Sequence, residues 1–213
     1  MKKRKLLMFM LALLPMLGFV SCSEESETVE EFPNWQATNE AYYDSIYNVA
    51  VANADGSWKV IRNYSFQDSI ELTSTDYIAV HVLTEGTGSG CPMFTDSVVV
   101  SYSGRLIPST SYSEGYIFDY TYSGTYNPET SAYTTLVVSE VIDGFSTALQ
   151  NMHIGDVWRV YMPYQLGYGE SGSSSIPAYS TLIFDIALKA YYRPDHNVSR
   201  TAGVEPKGVW ITE

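Results

Sequence analysis

The stretch that decides the fold reads VIDGFSTALQNMHIGDVWRVYMPYQLGYGESGSSSIPAYSTLIFDI over residues 141–186. The D-G pair near its start predicts a turn. Apolar residues at helical spacing follow this turn and predict a short helix, which ends by Gly155. Apolar residues then alternate with other types at 157–162 and again at 182–188, and this alternation predicts two β-strands separated by a Gly/Ser-rich loop.

The sequence outside this stretch also predicts both strands and a helix. Residues 97–106 alternate as a strand, and shorter strands are predicted at 57–63, 76–83 and 134–139. Residues 34–53 are the best helix candidate, and we expect this helix to pack on its own domain because it is too short and irregular for a coiled coil. Its expected apolar stripe consists of Trp35, Thr38, Tyr42, Ile46 and Val49. The elements together predict the α+β class, with an antiparallel β-sheet curved around a short α-helix and an N-terminal helical extension.

A series of short motifs runs in a fixed order between residues 96 and 191. In chain order the motifs are VVVSYSG (98–104), FD (118–119), VIDGF (141–145), MHIG (152–155), WRV (158–160), PYQLGYG (163–169) and IPAYSTLIFD (176–185). Together they resemble the FKBP-type peptidyl-prolyl cis-trans isomerases. Several motifs in order are a strong signal, whereas any one of them alone would be weak. The resemblance implies an FKBP-like fold for the α+β domain.

The resemblance implies a reaction that needs neither a metal nor a nucleophile. Rotation about a peptide bond has a barrier of about 18–20 kcal/mol because amide resonance is lost at the twisted state. A catalyst lowers this barrier when it binds the twisted imide more tightly than either planar form. The expected site is therefore a dry cup of aromatic and aliphatic side chains with one or two fixed polar groups.

Site residues follow from the resemblance, position by position. It implies that the proline ring lies over Phe145, that the Ile176 N–H meets a substrate carbonyl, and that the Tyr168 phenol points at the other end of the peptide. It also implies that Asp119 accepts a hydrogen bond from Tyr102. Each apolar member, considered alone, is better explained as a core residue, and the ordered set favours a pocket. The residues assigned to catalysis are Tyr102, Phe118, Asp119, Val141, Ile142, Phe145, Tyr168, Ile176 and Phe184, and Tyr133 is assigned to substrate binding.

The chain departs from the family pattern near the expected cup. Phe145 stands where Trp is frequent, and Ser175 stands where an aliphatic residue often precedes the Ile-Pro pair. Residues 108–115 form a polar Ser/Tyr insertion where the family's connection is usually shorter, and they either lengthen a flap beside the site or decorate the surface. Macrolide inhibitors are a further ligand class that the resemblance implies, and we expect these changes to alter their affinity.

Charge excludes one class of partner. The chain of 213 residues has a net charge of −12, and residues 1–22 hold four of its 12 basic residues and none of its 24 acidic ones. Without that segment, 8 basic residues face 24 acidic residues, a net charge of −16. Such a surface repels phosphate backbones, so we expect no nucleic acid partner.

The N-terminus predicts an exported lipoprotein. Residues 2–5 are basic, and the apolar segment after them is too short to favour a spanning helix. It ends in FVSC, which resembles a bacterial lipobox and implies cleavage before Cys22 and acylation of that thiol; the alternative is an ordinary cleaved signal with a chance cysteine. The predicted domains are a lipoprotein signal peptide (1–22), an acidic tether (23–33), a helix and strand extension (34–90), the isomerase-like domain (91–191) and a tail (192–213).

The remaining cysteine and the histidines give only weak evidence for a disulfide, a nucleophile or a metal site. Cys91 is the one cysteine after Cys22, so no internal disulfide is expected, and the sequence marks no base beside it. His81, His153 and His196 lie in separate segments without metal-ligand spacing. We therefore predict no metal site and no cofactor, and we interpret Cys91 as structural or incidental.

These observations favour an exported peptidyl-prolyl isomerase that acts on proline-containing polypeptides of the cell envelope. Its contact with the membrane is expected through the lipid anchor alone, with the outer membrane as the expected location, facing the periplasm or the cell surface. One alternative is a non-catalytic module of the same fold that binds proline-containing segments. Another is an envelope lipoprotein scaffold in which the N-terminal helix and the acidic surface hold a partner.

Overall fold

An antiparallel β-sheet of eight strands is the central element of the chain that the computed structural model describes, residues 33–66, 72–195 and 208–213. The strands are β1 (Trp58–Arg62), β2 (Tyr77–Thr84), β3 (Ser97–Leu106), β4 (Ile117–Tyr120), β5 (Thr134–Val137), β6 (Val157–Met162), β7 (Leu182–Pro194) and β8 (Gly208–Ile211). Their spatial order is β1-β2-β6-β7-β3-β4, while β5 also pairs with β3 and β8 also pairs with β7. Neighbouring strands are antiparallel throughout.

The inner face of the sheet packs on one short helix, α2 (Asp143–Leu149). Side chains alternate along each strand, so every second one points at this helix. On β6 these side chains are Trp158, Val160 and Met162, all of which are fully buried. Removal of this apolar surface from water stabilises the contact between sheet and helix. The arrangement confirms the predicted α+β class.

A longer helix, α1 (Trp35–Ala52), covers part of the outer face of the sheet. Its buried Tyr43 and Ala50 share a cluster with Tyr161 of β6 and Ile183 of β7. Each of these two strand residues alternates with an inward-facing neighbour, which places them on the side away from α2. The helix predicted at 34–53 is therefore confirmed, and it packs on its own domain.

The buried stripe of α1 is rotated relative to the predicted one. Asn39 and Tyr43 are buried, whereas Thr38 and Val49 of the predicted stripe are exposed. The Asn39 side-chain Oδ1 accepts a hydrogen bond from the backbone N–H of Thr181 at 2.7 Å. This polar contact fixes the rotation of α1, and a pattern of apolar residues does not record it.

Strands from the predicted extension are built into the same sheet. β1 pairs with β2, and β2 pairs with β6, for example through Val80 opposite Val160. At the other end of the chain, β8 pairs with the last residues of β7. The strands predicted near residues 57–63 and 76–83 are thus confirmed. The proposed domain boundary at residue 91 stays a prediction. The sheet contains strands from both sides of that residue, because β2 pairs with β6.

Several predictions concern residues that lie outside the described ranges. The signal peptide, the lipid-acceptor Cys22 and the acidic tether up to residue 32 are among them. Within the described ranges, none of the helices combines the length and the apolar character that a membrane crossing requires.

Candidate active site

Four aromatic rings meet on the inner side of the sheet around Phe184 of β7. Its ring centroid lies 5.2 Å from that of Phe145 on α2, 5.5 Å from that of Phe118 on β4 and 6.1 Å from that of Tyr102 on β3. The Phe145 and Phe118 rings meet Phe184 edge to face, which the charge distribution of aromatic rings favours. Phe145 and Phe184 are buried, while Tyr102 and Phe118 are half-buried. We call these four rings the aromatic cup.

A glycine makes the room that the aromatic cup needs. Gly104 of β3 lies opposite Phe184 in the sheet. A Cβ atom at this position would clash with Phe184 Cε1 and would lie 2.9 Å from Phe118 Cε2. Any larger residue would displace both rings, so Gly104 is a positioning residue of the site. This role was not identified from the sequence. The one signal available for it was the VVVSYSG motif, which ends at Gly104.

One polar pair lies at the rim of the aromatic cup. The Tyr102 hydroxyl donates a hydrogen bond to Asp119 Oδ2 at 2.7 Å, so the contact that the resemblance implies is present. Burial of the phenol raises the Tyr102 pKa, and the hydrogen bond to Asp119 raises it further. The hydroxyl therefore stays protonated at neutral and moderately alkaline pH. It presents a fixed dipole beside the apolar rings.

Three aliphatic residues extend the apolar surface of the aromatic cup. Val141 and Ile142 lie just before and at the start of α2 and are half-buried against the core, and Ile176 is buried in the loop before β7. The Ile176 N–H donates to the Ser173 carbonyl at 3.3 Å, while the Ser173 N–H donates to the Ile176 carbonyl at 2.8 Å. The longer bond is the weaker of the two. The Ile176 N–H can therefore exchange it for a substrate carbonyl with little loss.

Tyr168 lies on the solvent side of the group and is 41% exposed. It follows the short 3-10 turn Tyr164–Leu166, so the turn sets where the phenol projects. Its phenol is near enough to contribute to the raised pKa of Tyr102. An exposed phenol near the polar pair is available to a bound peptide.

Tyr133 does not join this group. Its ring lies under Lys189, with Nζ 4.4 Å from the ring centroid, and its hydroxyl shares a hydrogen bond of 2.8 Å with that of Tyr126. Tyr133 lines a groove of about 970 Å³ together with Asp185. Since Asp185 alternates with Phe184 on β7, this groove lies on the outer face of the sheet. The assignment of Tyr133 to substrate binding does not fit this position, because the aromatic cup lies on the opposite, inner face of the sheet.

Cys91 has a neighbour that the sequence does not mark. Its Sγ lies 3.8 Å from Nε2 of His153, whose Nδ1 lies 3.8 Å from Oδ2 of Asp156. The expectation that no base lies beside Cys91 is therefore wrong. Burial of the thiol and the charge of Asp156 raise the Cys91 pKa, so little thiolate forms at neutral pH and the thiol is a poor nucleophile. Across the described ranges, no group of three or more His, Cys, Asp and Glu side chains is placed to hold a metal ion.

Comparison with known proteins relates this geometry to a family. Residues 89–189 match the model of the family described as FKBP-type peptidyl-prolyl cis-trans isomerase. These residues belong to the FKBP-type family. The FKBP-type segment contains the whole aromatic cup, from Tyr102 to Phe184, together with Asp119, Tyr168 and Ile176.

Two curated relatives are similar to just over half of this chain, and the second of them carries the family's name. A macrophage infectivity potentiator of Trypanosoma cruzi is 36% identical over 122 residues, which are 57% of this chain and 55% of that protein. The FKBP-type 22 kDa peptidyl-prolyl cis-trans isomerase of Escherichia coli is 37% identical over 131 residues, 61% of this chain and 57% of that protein. The chain thus spans just over half the length of these two relatives.

A solved structure extends the agreement to the fold. The crystal structure of FkpA from Escherichia coli superposes with a TM-score of 0.50 and 26% sequence identity. The superposition covers 74% of this chain and 61% of FkpA. The FKBP-like sheet and helix are therefore shared with a protein of known structure.

Proposed function

We propose that this FKBP-type chain catalyses cis–trans isomerisation of peptide bonds that precede proline in other polypeptides. The observation that carries the proposal is the aromatic cup with its polar rim, in which rings surround Phe184 and Tyr102 is fixed by Asp119. Relatives named as peptidyl-prolyl isomerases support the same activity. Proline-containing polypeptides are the proposed substrates.

The mechanism requires selective binding of a twisted imide. The twisted carbonyl is less polar than the resonance-stabilised planar one, so an apolar surface such as Phe145 and Phe184 favours it. The Ile176 N–H and the phenol of Tyr168 hold the peptide on either side of the proline, which leaves the imide free to rotate. No proton is transferred and no covalent bond is broken. The Tyr102–Asp119 pair acts as a fixed dipole at the rim and takes no part as an acid or base.

A protease-coupled assay with a short proline peptide tests the proposal, because the protease cleaves the trans isomer alone and so reports isomerisation. We expect the chain to accelerate the slow phase. Absence of acceleration, together with saturable chemical-shift changes of aromatic-cup residues on titration with the same peptide, would favour the non-catalytic binding module. Absence of both would leave the scaffold interpretation.

Tyr168→Phe is expected to lower kcat/KM by about three- to tenfold, the effect of losing one hydrogen bond to the substrate. The melting temperature should hardly change, because the Tyr168 side chain is exposed. Tyr126→Phe is the matched control, since it also removes one phenol oxygen, but from the outer groove. Parallel losses of kcat/KM and melting temperature in Tyr168→Phe would instead indicate a structural role.

The value of kcat/KM is expected to change little across the neutral pH range or when a chelator is added. Tyr102 keeps its proton because its pKa is raised, and no imidazole is among the proposed site residues. The value of kcat/KM should stay within about twofold from roughly pH 6 to 8.5. Steady-state measurements across that range, repeated with EDTA, check this expectation. A bell-shaped profile or loss of activity on chelation would require an acid–base or metal step that the proposal lacks.

The proposed location is the cell envelope, with Cys22 as the lipid acceptor. The supporting observation is that residues 1–22 contain a basic segment, then an apolar segment, and then the sequence FVSC. Cys22→Ala should move the full-length protein from the membrane fraction to the soluble fraction of the cell. If the variant still needs detergent for extraction, the anchor does not depend on Cys22.

A further inference from the structure

A second hollow lies beside the proposed site. It has a volume of about 470 Å³ and lies between the insertion at 108–115 and the loop at 173–177. Its walls include Tyr112 and Tyr116 on one side and Ile176 with Pro177 on the other. Its volume falls within the range of about 300–1,000 Å³ that is usual for small-ligand sites. We call this hollow the insertion pocket.

The wall formed by the insertion is ordered by its own backbone. The Ser109 and Gly115 N–H groups both donate to the Tyr112 carbonyl at 2.9 Å, and the Leu106 N–H donates to the Tyr116 carbonyl at 3.0 Å. Gly115 has a φ of +89°, and a Cβ atom there would clash with the Leu106 carbonyl. The turn therefore depends on this glycine. The Tyr112 and Tyr116 rings meet edge to face at an interplanar angle of 71°, with centroids 5.1 Å apart.

The insertion pocket borders the aromatic cup. Ile176 lines the pocket and is also a proposed wall of the active site. Leu106 also lines the pocket, and it lies on β3 two residues after Gly104, so its side chain is on the same inner face of the sheet as the aromatic cup. A peptide bound with its proline at the aromatic cup therefore has a neighbouring side chain within reach of the pocket.

We propose that the insertion pocket is a subsite that receives an aromatic side chain next to the proline of the substrate. This inference rests on the proposed function. Two tyrosine rings offer edges and faces to a third ring, a geometry that aromatic side chains favour over aliphatic ones. Among the described residues, those that line the pocket carry hydroxyl groups of tyrosine and serine but no charged side chain. A charged residue next to the proline would lose hydration there without gaining a partner.

The test compares proline peptides that differ at the residue before or after proline, with Phe or Ala at that place. We expect the wild-type protein to prefer Phe at one of the two places by about three- to tenfold in kcat/KM, mainly through KM. In a Tyr112→Ala/Tyr116→Ala double variant this ratio should fall towards one, whereas Tyr116→Phe should keep it. Tyr120→Ala is the matched control, because Tyr120 lies on β4 just after Tyr116, is 57% exposed and is outside the residues that line the pocket.

Each outcome of the peptide comparison either supports or overturns the proposed subsite. A wild-type protein without a Phe preference at either place, or a double variant that keeps the preference, would overturn the subsite. If none of the peptides is isomerised, the proposed function fails by itself. The subsite is then judged from the ratio of the Kd values of the Phe and Ala peptides, measured by titration of the same variants. A melting temperature within about 4 °C of wild type shows that the double variant is folded.

Discussion

Phe184→Ala is expected to lower the free energy of unfolding by about 3–5 kcal/mol and to abolish isomerase activity. The magnitude is typical for removal of a buried aromatic ring, and Phe184 is 5% exposed. Its ring is the common neighbour of Tyr102, Phe118 and Phe145, so a cavity here leaves three rings without their central contact. Denaturant unfolding gives the stability, and the proline-peptide assay gives the activity.

Phe184→Leu separates the two effects. Leucine fills most of the space, so the loss of stability should be smaller than for the Ala variant, while the loss of the flat ring should still lower kcat/KM. Gly104→Ala provides a second comparison, because its added methyl group displaces the Phe184 and Phe118 rings without removing either. An Ala variant at position 184 with wild-type stability would show that the ring is not part of a packed core.

Strand positions were predictable wherever one face of the strand is buried. β3 and β6 occupy the ranges that the sequence predicts, 97–106 and 157–162. Burial of one face imposes strict alternation, and the sequence displays that alternation directly. The rotation of α1 could not be predicted in this way. It depends on a hydrogen bond from the Thr181 N–H to Asn39, two residues that are 142 positions apart in the chain.

Members of the aromatic cup were predictable because each lies inside an ordered motif. Tyr133 has no such motif around it, and the loop before β5 does not fix which face its side chain takes. The His153 neighbour of Cys91 was missed for a related reason. Those two residues are 62 positions apart, and their contact arises from the fold rather than from local spacing.

Asp185→Ala is expected to destabilise the protein by about 3 kcal/mol while leaving the aromatic cup intact. Asp185 accepts hydrogen bonds from Arg159 Nε at 2.6 Å and Nη2 at 2.9 Å and from Arg105 Nη1 at 3.1 Å. Loss of one partner from a buried ion pair costs about 3–5 kcal/mol. We expect the lower end, because 34% of the Arg159 side chain remains exposed. Since Asp185 and Phe184 point to opposite faces of β7, kcat/KM should stay unchanged at temperatures where the variant is folded.

The dependence on pH gives the sharper test of this ion cluster. Burial alone would raise the Asp185 pKa, but the hydrogen bonds from Arg159 and the charges of both arginines outweigh it and lower the pKa. A lowered pKa stabilises the folded state above the unfolded-state pKa of about 4, and this contribution is lost as the pH falls through the folded-state value. The difference in unfolding free energy between wild type and Asp185→Asn should therefore be constant from about pH 7 to 5 and shrink below about pH 4. Urea unfolding at several pH values measures it. A difference that grows on acidification would mean that Asp185 is not stabilised as a carboxylate by Arg105 and Arg159.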